Sequence, residues 1–328
     1  MREALFYRVL EGDKVQCELC PRECVIPAGG RGFCRVRRHE DGKLLAENYL
    51  HCSSYALDPI EKKPLYHFYP GSTIFSIGTW GCNFTCQFCQ NWHIAQADPE
   101  TQVLTPQKVV EIVQAHNKER CIGVAYTYSE PTVWYEFVYD TAKLIREAGG
   151  KNVLVTNGYI AEKPLRQLLP LIDAMNIDIK AFHPDFYRQV CCGELEAVKA
   201  TTEIAVQHCH VELTTLLIPG MNDSDEEIQG LVDWIAEKLH PGVPLHFSRY
   251  FPNYKFNAPP TPIETMERAR EIAKAKLRYV YLGNVGGTGS NTYCHHCNHL
   301  LIERPRGLWE LTADKTCPAC GTPMEIEM

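Results

Sequence analysis

From residue 73 to about residue 285 the apolar positions of the chain switch repeatedly between two periods. Short runs rich in β-branched and aromatic residues give way to longer runs with apolar residues at every third or fourth position. The short runs predict strands at Thr73-Ile-Phe-Ser-Ile-Gly78, Cys121-Ile-Gly-Val-Ala-Tyr126, Asn152-Val-Leu-Val-Thr156 and Met175-Asn-Ile-Asp-Ile-Lys180. Further strands are expected at 211–218 and 245–250, with Tyr279-Val-Tyr-Leu282 as a last one. The longer runs predict helices at 105–113, 132–148, 164–171, 195–209 and 262–276. Thr105 is placed to cap the first of these and Pro106 to open it, and Gly149-Gly150 ends the second. Ser224-Asp-Glu-Glu227 has the capping-box pattern and opens one more helix. Six strand–helix units in a row imply parallel strands with the helices outside. Periodicity alone leaves open whether they form an open sheet or curl into a full or partial barrel. Residues 1 to about 65 show few helix signals.

Polar residues gather just after these strands. A cysteine group follows the first, Tyr128-Ser-Glu-Pro131 the second and Thr156-Asn-Gly158 the third. Asp178 and Lys180 end the fourth, Pro219-Gly-Met-Asn-Asp223 follows the fifth, and Arg249 and Tyr250 end the sixth. In parallel α/β folds the carboxyl ends of the strands hold the active site, so all six segments are expected to converge on one mouth.

Composition narrows the class. With 328 residues and 45% apolar content the chain can bury a large core. The 40 acidic and 33 basic residues leave a net charge of −7, which argues against a nucleic-acid surface. The charged start Met1-Arg-Glu-Ala-Leu-Phe-Tyr-Arg8 does not read as a secretory signal, and no apolar run is long enough to span a membrane. A cytoplasmic location is therefore expected. The 16 cysteines are the informative count, because most fall in tight groups that suit metals better than disulfides. Cys52, Cys121, Cys191, Cys192 and Cys209 fall outside the groups and read as core or surface residues.

The stretch Gly81-Cys-Asn-Phe-Thr-Cys-Gln-Phe-Cys89 places Cys82, Cys86 and Cys89 within eight residues. Thiolates ligate iron–sulfur clusters, and a four-iron cluster takes four ligands. Three from one loop leave one iron open for a small molecule; the competing reading is a zinc loop that borrows a distant fourth cysteine. Spacing, aromatic residue and position after the first strand together resemble the C-x3-C-x-aromatic-C signature of the radical SAM superfamily. That resemblance implies a partial (β/α)6 TIM-like barrel, a [4Fe-4S] cluster, and S-adenosylmethionine (SAM) cleaved to an adenosyl radical. It also implies that Phe88 lies against the adenine and that Ser129-Glu130-Pro131 takes the place of Gly-Glu-Pro at the SAM amino group. Asp178 and Lys180 match an Asp-x-Lys that helps to hold SAM, and Leu217-Ile-Pro-Gly-Met-Asn-Asp223 resembles the loop of activating-enzyme relatives. Asn157 and Arg249 join the expected cofactor contacts by position. The segments Cys17-Glu-Leu-Cys-Pro-Arg-Glu-Cys24, Gly32-Phe-Cys-Arg-Val-Arg37 and Asp58-Pro-Ile-Glu-Lys-Lys-Pro-Leu-Tyr-His-Phe68 extend the likeness. They resemble the AmmeMemoRadiSam-system radical SAM enzymes, relatives of the pyruvate formate-lyase activating enzymes. An electron donor of flavodoxin or ferredoxin type, and Memo-type and AMME-type partner proteins, follow as implied partners.

Two further cysteine groups flank the expected barrel. Cys17, Cys20, Cys24 and Cys34 lie within 18 residues and form a plausible closed site, for zinc or a second iron–sulfur cluster. Cys294-His-His-Cys297 and Cys317-Pro-Ala-Cys320, separated by nineteen residues, match a zinc-ribbon pattern, with rubredoxin-type iron as the alternative. A metal would stabilise so short a segment. The glycine-rich 283–289 reads as a hinge. The expected architecture is thus an α/β barrel at 69–288, an N-terminal Cys-rich segment at 1–68 and a small zinc-ribbon-like or rubredoxin-like module at 289–328. The expected function is hydrogen abstraction from an unidentified substrate, a peptide or protein first and a small aromatic or amino-acid compound second. Activation of a glycyl-radical enzyme is the alternative within that class. A non-enzymatic metal-binding adaptor is the alternative outside it, and it leaves the polar strand ends unexplained.

Overall fold

The computed structural model describes residues 1–287 and 289–328; Thr288, where the expected boundary of the barrel falls, lies outside the described residues. The centre is an eight-stranded sheet. Its strands are β1 (Ser54–Pro59), β2 (Thr73–Gly78), β3 (Cys121–Tyr126) and β4 (Lys151–Thr156). β5 (Ala174–Asp178), β6 (His210–Leu217), β7 (Leu245–Arg249) and β8 (Val280–Gly283) complete it. Spatial order equals chain order, from β1 at one edge to β8 at the other. β2 to β8 are parallel, and β1 runs antiparallel beside β2. Right-handed crossovers in chain order put all the connecting helices on one face and leave the other face free to line a site. β1 was not expected: it comes from the N-terminal segment and supplies the sheet with a second edge. β8 pairs with β7 at the opposite edge.

The helices begin where their caps place them. Thr105 Oγ1 accepts from Lys108 N at 3.2 Å and opens the helix Pro106–Ala115. Ser224 Oγ accepts from Glu227 N at 3.2 Å and opens Asp225–Trp234. The other half of the capping box is diverted, because Glu227 accepts instead from Phe182 N at 2.7 Å. The expected helix at 132–148 divides into a 3-10 turn, Pro131–Trp134, and a helix, Tyr135–Glu147. Leu213, Phe247, Phe137 and Ile145 are fully buried between sheet and helices. Each such side chain contributes about 1.5–3 kcal/mol.

Residues 2–46 form two small antiparallel sheets, and His51–Cys52 pairs separately with Gln102–Val103. Asp41 and Gly42, both at positive φ, make a tight hairpin turn between Arg37–Glu40 and Lys43–Ala46. This segment docks beside the carboxyl ends of β2 and β3. Arg37 and Glu136 form a fully buried ion pair at 2.7 Å, and Trp134 Nε1 donates to Asn48 O at 2.8 Å. The C-terminal segment docks at the other end of the sheet. Glu327 N donates to His67 O at 2.7 Å, and Arg304 Nη2 donates to Tyr66 O at 2.8 Å. No helix among the described residues is long and apolar enough to cross a membrane.

Candidate cofactor site

After β2 the chain turns through Gly81, at φ 84°, into the cysteine loop. A Cβ at Gly81 would stand 2.6 Å from the Cys34 carbonyl oxygen, so only glycine fits. The loop is held from the far side by Tyr187–Cys191, a π-helical turn. Thr85 N donates to Cys191 O at 3.0 Å and Gln87 N to Val190 O at 3.1 Å. Asn157 Nδ2 donates to Asn83 Oδ1 at 2.9 Å and stands 3.7 Å from Cys82 Sγ. Phe84 N approaches the same sulfur at 3.3 Å.

Cys82, Cys86 and Cys89 line a cavity of about 350 Å³ at the carboxyl ends of the strands, with Phe88 beside them. Ser129, Glu130, Asn157, Asp178 and Lys180 line the same cavity. Nine of the ten residues expected to contact the cluster or SAM therefore share one space. Arg249 does not line it. Strand residues alternate faces, and on β7 the inward position falls on Ser248. Arg249 points away, with Nε donating to Thr261 O at 2.7 Å and its guanidinium over Phe251.

The polar walls divide into braces and free groups. Glu130 is a brace. It is buried, and its carboxylate accepts from Thr132 N at 2.9 Å, Thr156 Oγ1 at 2.7 Å and Asn157 N at 2.8 Å. Burial raises its pKa, while those donors work to keep it ionised. The Pro219–Asp223 loop braces too: Asn222 Nδ2 donates to Lys180 O and Leu216 O at 2.7 and 2.8 Å. Asp178 and Lys180 form a pair at 2.6 Å on the cavity wall. Burial works against the Lys180 charge, but Asp178 and Cys86 more than offset it, so the ammonium is held above its usual range. Ser129 Oγ is buried with no hydrogen-bond partner, although its residue faces the cavity. Such an orphan is the mark of a site that a polar ligand completes.

Three features escaped the sequence reading. Cys191 lies against Cys86, and its thiol is the largest cause raising the Cys86 pKa, ahead of burial. It does not line the cavity, so the three-thiol set keeps its open corner. Lys63 is buried in the cavity wall and pairs with Asp58 at 2.8 Å, and Tyr128 Oη donates to the same carboxylate at 2.8 Å. Only the proximity of Asp58 to Lys62-Lys63 in the sequence hinted at this group. Asn91 Nδ2 donates to Tyr128 O at 2.7 Å and holds that residue at φ 68°.

The two flanking quartets differ in geometry. Cys294, Cys297, Cys317 and Cys320 bring their sulfurs within 4.8 Å of one another. The pairs Cys294–Cys320 and Cys297–Cys317 are both 3.7 Å apart. Metal–sulfur bonds of about 2.3 Å in a tetrahedron place sulfurs about 3.8 Å apart, so this quartet fits a single metal ion. Cys17, Cys20, Cys24 and Cys34 instead surround a separate small cavity.

Comparison with known proteins agrees with this geometry. Residues 76–235 match the family model described as the radical SAM superfamily. An uncharacterized protein of Methanocaldococcus jannaschii is 46% identical over 99% of both chains. The pyruvate formate-lyase-activating enzyme of Clostridium pasteurianum is 26% identical, over 47% of this chain and 66% of its own. The crystal structure of Streptococcus suis SuiB bound to S-adenosylmethionine superposes with a TM-score of 0.52 at 13% identity, covering 63% of this chain and 50% of that one. The chain belongs to the radical SAM superfamily. The family implies a [4Fe-4S] cluster and SAM, and three thiols, an open corner and an orphaned serine hydroxyl on one cavity fit that pair.

Proposed function

We propose that this chain is a radical SAM enzyme that abstracts a hydrogen atom from a peptide or protein substrate. One observation carries the reading: the three thiols and the Asp178–Lys180 pair line one cavity. Cys82, Cys86 and Cys89 would hold the [4Fe-4S] cluster. When bound, the cluster supplies the electron that breaks the SAM sulfonium bond, giving methionine and a 5′-deoxyadenosyl radical. The remaining work falls to the chain. Lys180 meets the SAM carboxylate, and Asp178 accepts from its ammonium or ribose hydroxyls. Phe88 packs on the adenine. Glu130 fixes the β3 and β4 ends, and Asn157 fixes the cysteine loop. Curling of the sheet into a partial (β/α)6 barrel over 69–288 would close this space to water.

A protein substrate is favoured by the likeness to an activating enzyme, whose target is itself a protein. The same likeness favours a second reading, activation of a glycyl-radical enzyme. The electron donor in either case is of flavodoxin or ferredoxin type, and Memo-type and AMME-type proteins are the partners to try first. The C-terminal quartet, in a module at 289–328, holds a structural zinc in this reading, with rubredoxin-type iron as the outcome that would replace it.

Anaerobic reconstitution, reduction and SAM should yield 5′-deoxyadenosine, and a deuterated substrate should pass deuterium into it. A glycyl radical on a partner, seen by electron paramagnetic resonance, would select the second reading. Methyl-transfer products without 5′-deoxyadenosine from fully loaded protein would overturn both.

A further inference from the structure

The N-terminal quartet is built differently from the C-terminal one. Cys17, Cys20, Cys24 and Cys34 enclose a cavity whose walls also include Arg22, Arg37 and Asn83. Among the described residues, only the C-terminal quartet brings three or more ligand atoms all within 4.8 Å of one another. No three of the N-terminal sulfurs come that close. A single tetrahedral ion needs sulfurs about 3.8 Å apart, whereas a cubane cluster spreads them, because each thiolate takes its own iron. The four thiols are still one group. All four line the one cavity, and Cys17 N donates to Cys24 O at 3.0 Å, tying the first and third ligands together.

The wall carries matching charge. Arg37 is buried, with one nitrogen paired to Glu136, yet its Nε–H has no partner. Arg22 Nη2 is likewise buried without one. Four thiolates around a cluster carry net negative charge, and N–H donors to the sulfurs are among the features that set its potential. Two guanidinium groups with unused donors on this one cavity suit such an occupant.

The quartet also touches the cofactor site. Arg22 Nε donates to Asn83 O at 2.8 Å, and Asn83 follows Cys82 on one side as Gly81 precedes it on the other. A methyl group on Gly81 would meet the Cys34 carbonyl oxygen at 2.6 Å, so the two cysteine loops are in backbone contact. Cys20 and Cys24, by contrast, are partly exposed. One end of the quartet therefore faces solvent and the other faces the Cys82 loop.

We infer that Cys17, Cys20, Cys24 and Cys34 hold a second [4Fe-4S] cluster that relays electrons to the cluster on Cys82, Cys86 and Cys89. The relay half rests on the proposed function; the cluster half does not. One electron leaves an external donor of flavodoxin or ferredoxin type and reduces the N-terminal cluster. The same electron passes on to the Cys82 cluster, and the N-terminal cluster returns to its oxidised state. No atom or proton is transferred.

The test begins with the Cys82→Ala/Cys86→Ala/Cys89→Ala protein, reconstituted anaerobically. It should keep about four irons and four sulfides per chain and give a reduced-cluster paramagnetic signal. Zinc in their place, or no metal in a protein whose circular dichroism is native, overturns the cluster. Arg22→Gln should leave the iron content unchanged and lower the potential of that signal; an unchanged potential removes the role given to the arginine donors. Cys24→Ser in the otherwise intact protein tests the relay. With a flavodoxin-type donor, 5′-deoxyadenosine formation should fall at least tenfold, and a small chemical reductant should restore it. Equal rates with the protein donor before and after substitution overturn the relay. Absence of 5′-deoxyadenosine from the native protein with the chemical reductant would instead count against the proposed function, leaving the iron count to stand.

Discussion

Lys180 sits on the cavity wall with its ammonium 2.6 Å from Asp178 and its backbone amide donating to Tyr187 Oη at 2.9 Å. The backbone contact fixes where the side chain starts, and the carboxylate fixes where it ends. A SAM carboxylate meeting this ammonium makes a charge-assisted hydrogen bond in a partly desolvated space. Lys180→Ala should therefore weaken SAM binding by about 1.5–3 kcal/mol, roughly ten- to a hundredfold, with iron content unchanged. Equilibrium dialysis against reconstituted protein measures both, and an unaltered affinity would remove Lys180 from the SAM site. Single residues were legible in the sequence to the extent that their position, rather than their partners, decides their role. Asp178, Lys180 and Asn157 follow strands, and they reach the mouth for that reason alone. Glu130 follows a strand too, but its carboxylate is taken up by three donors from its own neighbourhood, which no spacing rule reveals. Arg249 was one residue out of phase with the inward face of its strand.

The cysteine loop is only as rigid as the π-helical turn behind it. Three hydrogen bonds join them, from Thr85 N, Gln87 N and Gln87 Nε2 to carbonyls of residues 189–191. Beneath the joint, Phe84 packs against Tyr159 at 4.9 Å between ring centres, and Gly193 leaves room for it. A Cβ at Gly193 would fall 2.1 Å from the Phe84 ring. Gly193→Ala must displace that ring, and with it the segment between Cys82 and Cys86. The expected result is a lower melting temperature and reduced iron uptake at the Cys82 site. Gly283→Ala, whose Cβ finds nothing nearer than 3.6 Å, should match the native protein in both measurements. Equal iron uptake by the two variants would show that the joint does not position the thiols. At this scale the parallel strands were legible because each is a compact apolar run, and the helices because their caps are local. The π-helical turn was not: its extra residue leaves the apolar pattern looking like an ordinary helix or loop, so Cys191 read as an unattached core thiol. β1 was hidden because an edge strand is chosen by its partner rather than by its own sequence.

Across the whole molecule the two ends of the sheet do different work. The carboxyl ends carry the thiols and the charged cavity, while the amino ends are sealed by the 64–68 segment and the C-terminal module. The module's quartet fits one metal ion, so Cys317→Ser/Cys320→Ser should remove one equivalent of zinc and lower the melting temperature, with the Cys82 iron retained. Unchanged zinc content would exclude that site. At the seal itself, His67 is fully buried. Its Nδ1 faces the Glu325 carbonyl at 2.7 Å, its Nε2 faces Tyr281 Oη at 2.6 Å, and its backbone amide donates to Glu212 at 2.7 Å. A carbonyl can only accept, so Nδ1 carries the proton and Nε2 accepts from the tyrosine in a neutral ring. Burial holds its pKa down, from the usual 6.5 to about 3, against the opposing pull of Glu212. The folded protein therefore leaves His67 neutral at pH values where the unfolded chain protonates it. The stability from this site is fully present above about pH 6.5 and is lost progressively as pH falls from there toward 3. The Glu212 carboxylate, buried but held well below its ordinary range by the side chains of His210 and His246, keeps its full contribution to stability until the pH falls to about 4.5 and so adds no slope above that. Melting between pH 8 and pH 5 thus isolates the histidines. His67→Asn should be less stable than the native protein at pH 8, and its loss between pH 6.5 and pH 5 should be shallower by up to about 1.4 kcal/mol per pH unit. The other histidines are common to both proteins and cancel. Parallel stability curves for the two proteins over that window would show that His67 does not titrate on unfolding, and that the seal is not held by a neutral imidazole.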